Sequence, residues 1–413
     1  MSDVPAWAVR LRIARRERLW TQREMAKRLA EAADEHTRAY LPERDSMLRM
    51  IKYWEAGRHR PKDPYPMLYC RVFGMEEDEL FSDAAASPRR PPADVLKELL
   101  GRENPLVPER SRRGRRIGAG TLADMSARVH SLRLADDVLA GRDLIQPAFR
   151  ELHAAVRMYR ESIFTEDVGR GLLVTIGEFA HIAGWVAGDA GQSDQAAGTY
   201  RLGISAAHQA GDGTLAGHLI GALAYQVTNS ADPAEGVALA HTALNAAGPH
   251  APPRARALCW DRVAWAHARA GQAQEAIRAL AEADEALAHP SGEAEPAYLY
   301  WVNTGELQIM KARAYTELRR PLRAVPILTD ILSRYDATHS RELALYLSWL
   351  AVALADANEP EEAADVAVRM LTLSADVASD RVAHRARVVL DRLKPYRDVR
   401  RVRELINDHR WPA

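Results

Sequence analysis

Residues 260–276 read WDRVAWAHARAGQAQEA: an alanine-rich helix, a stop at Gly271, and a second helix that opens at once. Alanine is the strongest helix former, and glycine ends helices by taking the left-handed conformation. Two helices joined by so tight a turn run antiparallel. The arrangement recurs on either side of this stretch. Breaks fall at Gly191, Ala231 and Gly271, each 40 residues from the last, with two more near Arg319 and Asn358. Similar segments follow them at 192–196, 232–236, 272–276 and 359–363. A helical pair repeating at this period predicts a solenoid, in which neighbouring pairs bury one another.

Composition agrees with an all-α protein of more than one folding unit. The chain has 413 residues, 47% apolar and 27% charged, too long for one compact core. No apolar run approaches the roughly 18–20 residues of a membrane span, and the first residues are charged where a secretory signal would be greasy. Two cysteines, Cys70 and Cys259, lie far apart, so neither a disulfide framework nor a zinc site is expected. These features predict a cytoplasmic protein with no membrane contact, no metal and no cofactor. Residues 1–82 form a compact five-helix unit, 83–118 a basic Pro/Gly-rich linker interrupted at most by a short helix near 95–100, and 119–413 the repeats with C-terminal capping helices at 381–393 and 399–410. The arginines at 110–116 read as a solvated tether or as an arm adding phosphate contacts.

Charge is unevenly spread. Residues 1–62 carry 15 Lys+Arg against 9 Asp+Glu, while the chain as a whole carries 56 of each. A basic head on an acidic body suits a nucleic-acid-binding domain joined to something else. Only six of the basic residues are lysine, and that arginine bias weakens any single arginine cluster as evidence.

Within the head, residues 20–30 read WTQREMAKRLA, with Thr21 as N-cap and Glu24 three positions on, as a capping box requires. Residues 46–57 read SMLRMIKYWEAG, followed by RHRP. Ser46 is expected to cap this second helix, glycine to stop it, and Leu48, Ile51 and Trp54 to face inward. Met47, Arg49, Met50 and Lys52 are then left outside.

These segments resemble the Xre-type helix-turn-helix through Thr21, Gln22, Ala26, Leu29, Ile51, Trp54, Glu55, Gly57 and Pro61. They depart from it in a long polar connection at 31–45, where the family has a short turn. The resemblance implies that the second helix enters the DNA major groove. Arg44, Ser46, Met47, Arg49, Met50 and Lys52 become base-reading candidates, and Thr21, Gln22, Arg58 and Arg60 phosphate-positioning ones. One such domain makes few contacts, so a homodimer on a double-stranded operator is implied.

The repeats resemble tetratricopeptide repeats. Gly184, Ala224, Ala264, Ala312 and Ala351 take the small crossing position, and Ala276 and Ala283 the small positions of a second helix. In that family one face of each first helix lines a concave groove. On this register Trp185, Tyr225 and Trp265 align, with His181 and Asp261 one turn earlier and Asp189, Asn229 and Arg269 one turn later. Arg313 and Glu317 continue the row. The resemblance implies a groove for a signalling peptide or small molecule. The same aromatics could instead pack between repeats.

No phosphate-binding loop, zinc-protease motif or nucleophile elbow occurs, so no catalytic residue is assigned and no enzyme is expected. An enzyme would need several of Asp189, Asp261, Arg269 and Glu317 buried with perturbed pKa values. The combined resemblance implies a ligand-tuned transcriptional regulator. The rival is a scaffold whose groove holds a partner protein. A small ligand calls for a largely buried aromatic row, and a peptide or protein for an open one.

Overall fold

The computed structural model describes residues 5–18, 20–38, 40–75, 77–81, 91–100, 106–107, 115–138, 141–230, 232–289, 294–335, 340–374 and 380–408. Among them the chain is helical throughout, with no strand and one isolated bridge between Arg116 and Ile163. It divides into two units, Met1–Arg90 and Pro91–Ala413.

The first unit contains α1 (Ala6–Glu17), α2 (Gln22–Ala32), α3 (Glu35–Arg38), α4 (Arg44–Glu55), α5 (Tyr65–Phe73) and α6 (Glu77–Phe81). Six helical segments thus stand where five are expected. The extra one is α3, a single turn inside the long connection, held by Asp34 Oδ1 accepting from the Thr37 amide at 2.8 Å. Thr21 caps α2 as expected, its Oγ1 accepting from the Glu24 amide at 3.0 Å. Ser46 does not cap α4, which begins two residues earlier, after Glu43. Met25, Ala26 and Leu29 of α2 meet Met47, Ile51 and Trp54 of α4 in one core, closed by Leu68, Tyr69 and Phe73.

The second unit opens with α7 (Pro92–Leu100), the short helix allowed for within the linker, which packs on α11 and α13 below. Most of 101–114, with the arginines at 110–114, and the break at Ala231 lie outside the described residues. Then come α8 (Ala119–Val138), α9 (Gly141–Glu161), α10 (Glu166–Asp189), α11 (Ser193–Ala210), α12 (Gly213–Ser230), α13 (Pro233–Ala247), α14 (Pro253–Arg269), α15 (Ala273–Ala288), α16 (Thr304–Glu317), α17 (Pro321–Leu332), α18 (Ser340–Asp356), α19 (Pro360–Ser374), α20 (Asp380–Leu393) and α21 (Arg400–Asp408). Helices pack in series: each of α10, α12, α14, α16 and α18 pairs with the helix after it and also touches the next first helix along.

Local chemistry sets these boundaries. Asp212, Asp232 and Asn303 each accept an amide hydrogen bond in the first turn of the following helix, at 2.9–3.0 Å. Gly191, Gly271, Arg319 and Asn358 all take positive φ at the breaks. Close approach explains Gly184: a Cβ there would stand 2.7 Å from the ring of Tyr200, which is buried. One described helix, α10, has the length and apolar character to cross a membrane, and 67% of its most apolar stretch is buried.

Candidate functional site

Two groups of side chains carry chemistry, one in each unit. In the first unit, Glu55 is a buried hub. Arg15 donates to its carboxylate twice, from Nε at 2.5 Å and from Nη2 at 2.7 Å, and Gln22 Nε2 donates to Oε2 at 2.9 Å. The hydrogen bond to Glu55 raises the Arg15 pKa further. Gln22 thus ties α2 to α4. The expectation that Met47 lies outside is corrected. Met47 is 2% exposed and belongs to the core, because 47, 51 and 54 form the inward stripe of α4. Met50 is half-buried against the same core. Ser46 is half-buried, and its Oγ accepts from Arg49 Nη2 at 3.2 Å.

What α4 leaves outside is mostly basic, with Asp45 its one exposed acid. Arg44, Arg49 and Lys52 are exposed, with Tyr53 on the same side. Arg58 is exposed just beyond, its guanidinium 5.3 Å from the Tyr53 ring. Arg60 is exposed but turns one guanidinium nitrogen onto the Phe81 carbonyl at 2.6 Å. Beside this face an open depression of about 550 Å³ lies between α2 and the start of α4, lined in part by Lys27, Glu31, Arg38 and Arg44.

In the second unit, the aligned residues do come together. Ring centroids step from His181 to Trp185 (6.4 Å), Tyr225 (6.1 Å), Trp265 (6.2 Å) and then Trp349 of α18 (5.6 Å). Trp265 is 5% and Trp349 7% exposed, while Trp185 and Tyr225 are half-buried. Asn229 is exposed and accepts from Trp265 Nε1 at 3.3 Å. Asp189 and Asp261 are buried at 3%. Arg269 and Glu317 pair with each other at 2.5 Å nearer the rim. The row is thus an interior feature over much of its length, lined rather than open.

Guanidinium groups cover the aromatic rings. Arg262 lies 4.8 Å from the Tyr225 ring and pairs with Asp261 at 3.2 Å. Arg313 lies 5.1 Å from Trp265 and 5.3 Å from Trp349, and its Nη2 donates to the Tyr225 hydroxyl at 2.6 Å. From α20, Arg381 covers Trp185 at 4.8 Å and reaches Asp189 at 3.0 Å, and Arg385 covers Trp349 at 3.6 Å. This helix, expected only as a cap, supplies two residues of the row.

No protein-family model matches this chain, and no curated protein matches it.

The electrostatics follow from that packing. Burial opposes ionisation of Tyr225, yet Arg313, Arg381 and Arg262 together lower its hydroxyl to about 8. Burial, reinforced by Arg313, lowers Arg385 to about 9. Burial lowers His181 to about 3 and His218 well below the usual range, so both rings are neutral at pH 7. Their rings stack at 4.0 Å, beside a void of about 10 Å³ that reaches Cys259 and has room for a single water at most. Burial raises Asp261 against the opposing pull of Arg262. Among the described residues no cluster of His, Cys, Asp or Glu has the geometry to hold a metal ion.

Sequence reasoning missed Trp349, Arg262, Arg381 and Arg385. Trp349 sits three positions before Val352, the register position on α18, so a search along one register passes it by. The α20 arginines carried no signal, since nothing in the sequence says that the last helices meet the first.

Proposed function

We propose that the chain is a sequence-specific DNA-binding transcriptional regulator. Its first unit acts as an Xre-type helix-turn-helix, and its second as a tetratricopeptide-like solenoid that senses a ligand and tunes operator binding. It works as a homodimer in the cytoplasm, and its partners are a double-stranded operator and the ligand. The observation that carries the reading is the exposed basic face of α4. Arg44, Arg49 and Lys52, with Arg58 behind them, project from a helix whose other side is locked into a core. Basic side chains on a rigid helix supply both phosphate attraction and base reading. Met47 has no part in the readout, and Gln22 acts through Glu55.

For the second unit, the half-buried to buried aromatic row favours a small molecule over a peptide or protein lying in an open groove. The same observation disfavours the scaffold reading. Of the four side chains an enzyme would have buried, Arg269 and Glu317 instead sit nearer the rim as an ion pair.

The test is selection from a random duplex library by the full-length protein at defined salt, followed by affinity measurement on the enriched site. The reading expects a two-fold symmetric site, lost on Arg49→Ala without loss of fold. Failure of the wild-type chain to enrich any motif overturns DNA binding. Full operator affinity in Arg49→Ala overturns α4 as the reading helix.

A further inference from the structure

Arginines on the inner row outnumber their acidic partners. Arg262 has Asp261, Arg381 has Asp189 and Arg269 has Glu317. Arg313 and Arg385 have no carboxylate within ion-pair distance among the described residues. Arg313 bonds to the Tyr225 hydroxyl at 2.6 Å, and Arg385 Nε donates to Ser348 Oγ at 3.0 Å. Both guanidinium groups cover one indole, Trp349, at 5.3 and 3.6 Å. Arg313 Nε and Arg385 Nη2 are buried without a hydrogen-bond acceptor.

Two like charges sharing one aromatic ring repel, and Asp261 and Glu317 offset Arg313 and Arg385 only from beyond ion-pair distance. A guanidinium with a spare N–H is shaped to accept a carboxylate in a charge-assisted bond. The walls are Trp265, Trp349 and Tyr225, which suit an apolar body.

We propose that Arg313 and Arg385 bind the carboxylate of a small organic acid between them, with Trp265, Trp349 and Tyr225 against its body. This names the chemistry of the ligand and rests on the reading of the inner row as a ligand site. Tyr225 supplies the internal reporter. The excess positive charge favours its phenolate, so a bound anion drives its pKa back up.

The experiment titrates the full-length protein spectrophotometrically for tyrosinate, with benzoate, with its neutral isostere benzamide, or with chloride at matched ionic strength. Tyr225→Phe assigns the early transition near pH 8, and Arg385→Gln removes one clamp. Benzoate is expected to move the Tyr225 transition upward, with benzamide and chloride inert and the shift lost in Arg385→Gln. Should that variant fail to fold, the benzoate–benzamide contrast in the wild type still decides the matter. Equal response to benzoate and benzamide would leave a ligand site but overturn the anion clamp. No response to benzoate at millimolar concentration, or an undiminished one in folded Arg385→Gln, overturns the proposal. None of these outcomes depends on DNA, so the operator selection succeeds or fails separately.

Discussion

Arg15 and Glu55 form a two-pronged ion pair inside the first unit, with side-chain exposures of 9% and 4%. It joins α1 to α4, and Gln22 extends it to α2. Removing one member leaves the other charged and buried, which typically costs about 3–5 kcal/mol. Glu55→Ala should therefore destabilise this unit by that order in urea denaturation. Arg15→Met with Glu55→Met should lose less than the single change, because no orphan charge remains. A double variant as unstable as Glu55→Ala would show that the two charges are not coupled.

Met47 and Arg49 make a matched pair of opposites. Met47→Ala empties a site in the core and should cost about 2–5 kcal/mol. Arg49→Ala changes an exposed side chain and should stay within about 0.5 kcal/mol. Denaturation midpoints of the two variants test this directly, and a stable Met47→Ala would return that residue to the surface of α4.

Glu306 gives a pH signature. Burial pushes its carboxyl up to about 7, against the hydrogen bond that the Tyr346 hydroxyl donates at 2.6 Å, with Glu342 adding to the rise. The folded state thus holds a proton that the unfolded state releases near 4.5. This contribution is fully present below pH 4.5 and is lost as pH rises through about 7. His181 and His218 act oppositely, since folding keeps them neutral and their contribution fades as pH falls below 6.5. The prediction is therefore a difference. Glu306→Gln should gain stability relative to wild type between pH 5 and 7.5, read from melting curves, and a constant offset across that range would contradict it.

Two helical glycines should respond in opposite directions to alanine. At Gly184 the new methyl meets the Tyr200 ring at 2.7 Å, an overpacking worth about 1–3 kcal/mol of destabilisation. At Gly198, exposed on α11, nothing lies within 4 Å, and alanine should stabilise by about 0.5–1 kcal/mol. The order of melting temperatures should be Gly198→Ala, wild type, Gly184→Ala.

The sequence carried the helical series well because its signals are local. Gly191 and Gly271 stop helices, Asp232 and Thr21 start them, and alanine marks close crossings. The aromatic row was legible for the same reason, since Trp185, Tyr225 and Trp265 repeat at one interval. Helix α4 was harder. Two apolar stripes, through Met47 or through Leu48, share Ile51, and local pattern does not choose between them. The choice came from packing against Met25 and Leu29, and from Glu55, whose burial depends on Arg15 far along the chain. Arg381 and Arg385 were illegible because they reach the row only through the winding of the whole series.

That winding has a mechanical consequence. An open array of repeats frays from its weaker end, since each unit leans only on its neighbours. Here Arg381 holds Asp189 and Trp185, so the last first-helix grips the earliest one in the row. That one side chain ties α20 straight to α10, past the helices between them. Cutting it should leave the pairs from α12 to α20 free to open one after another from the α20 side, as in an untied array.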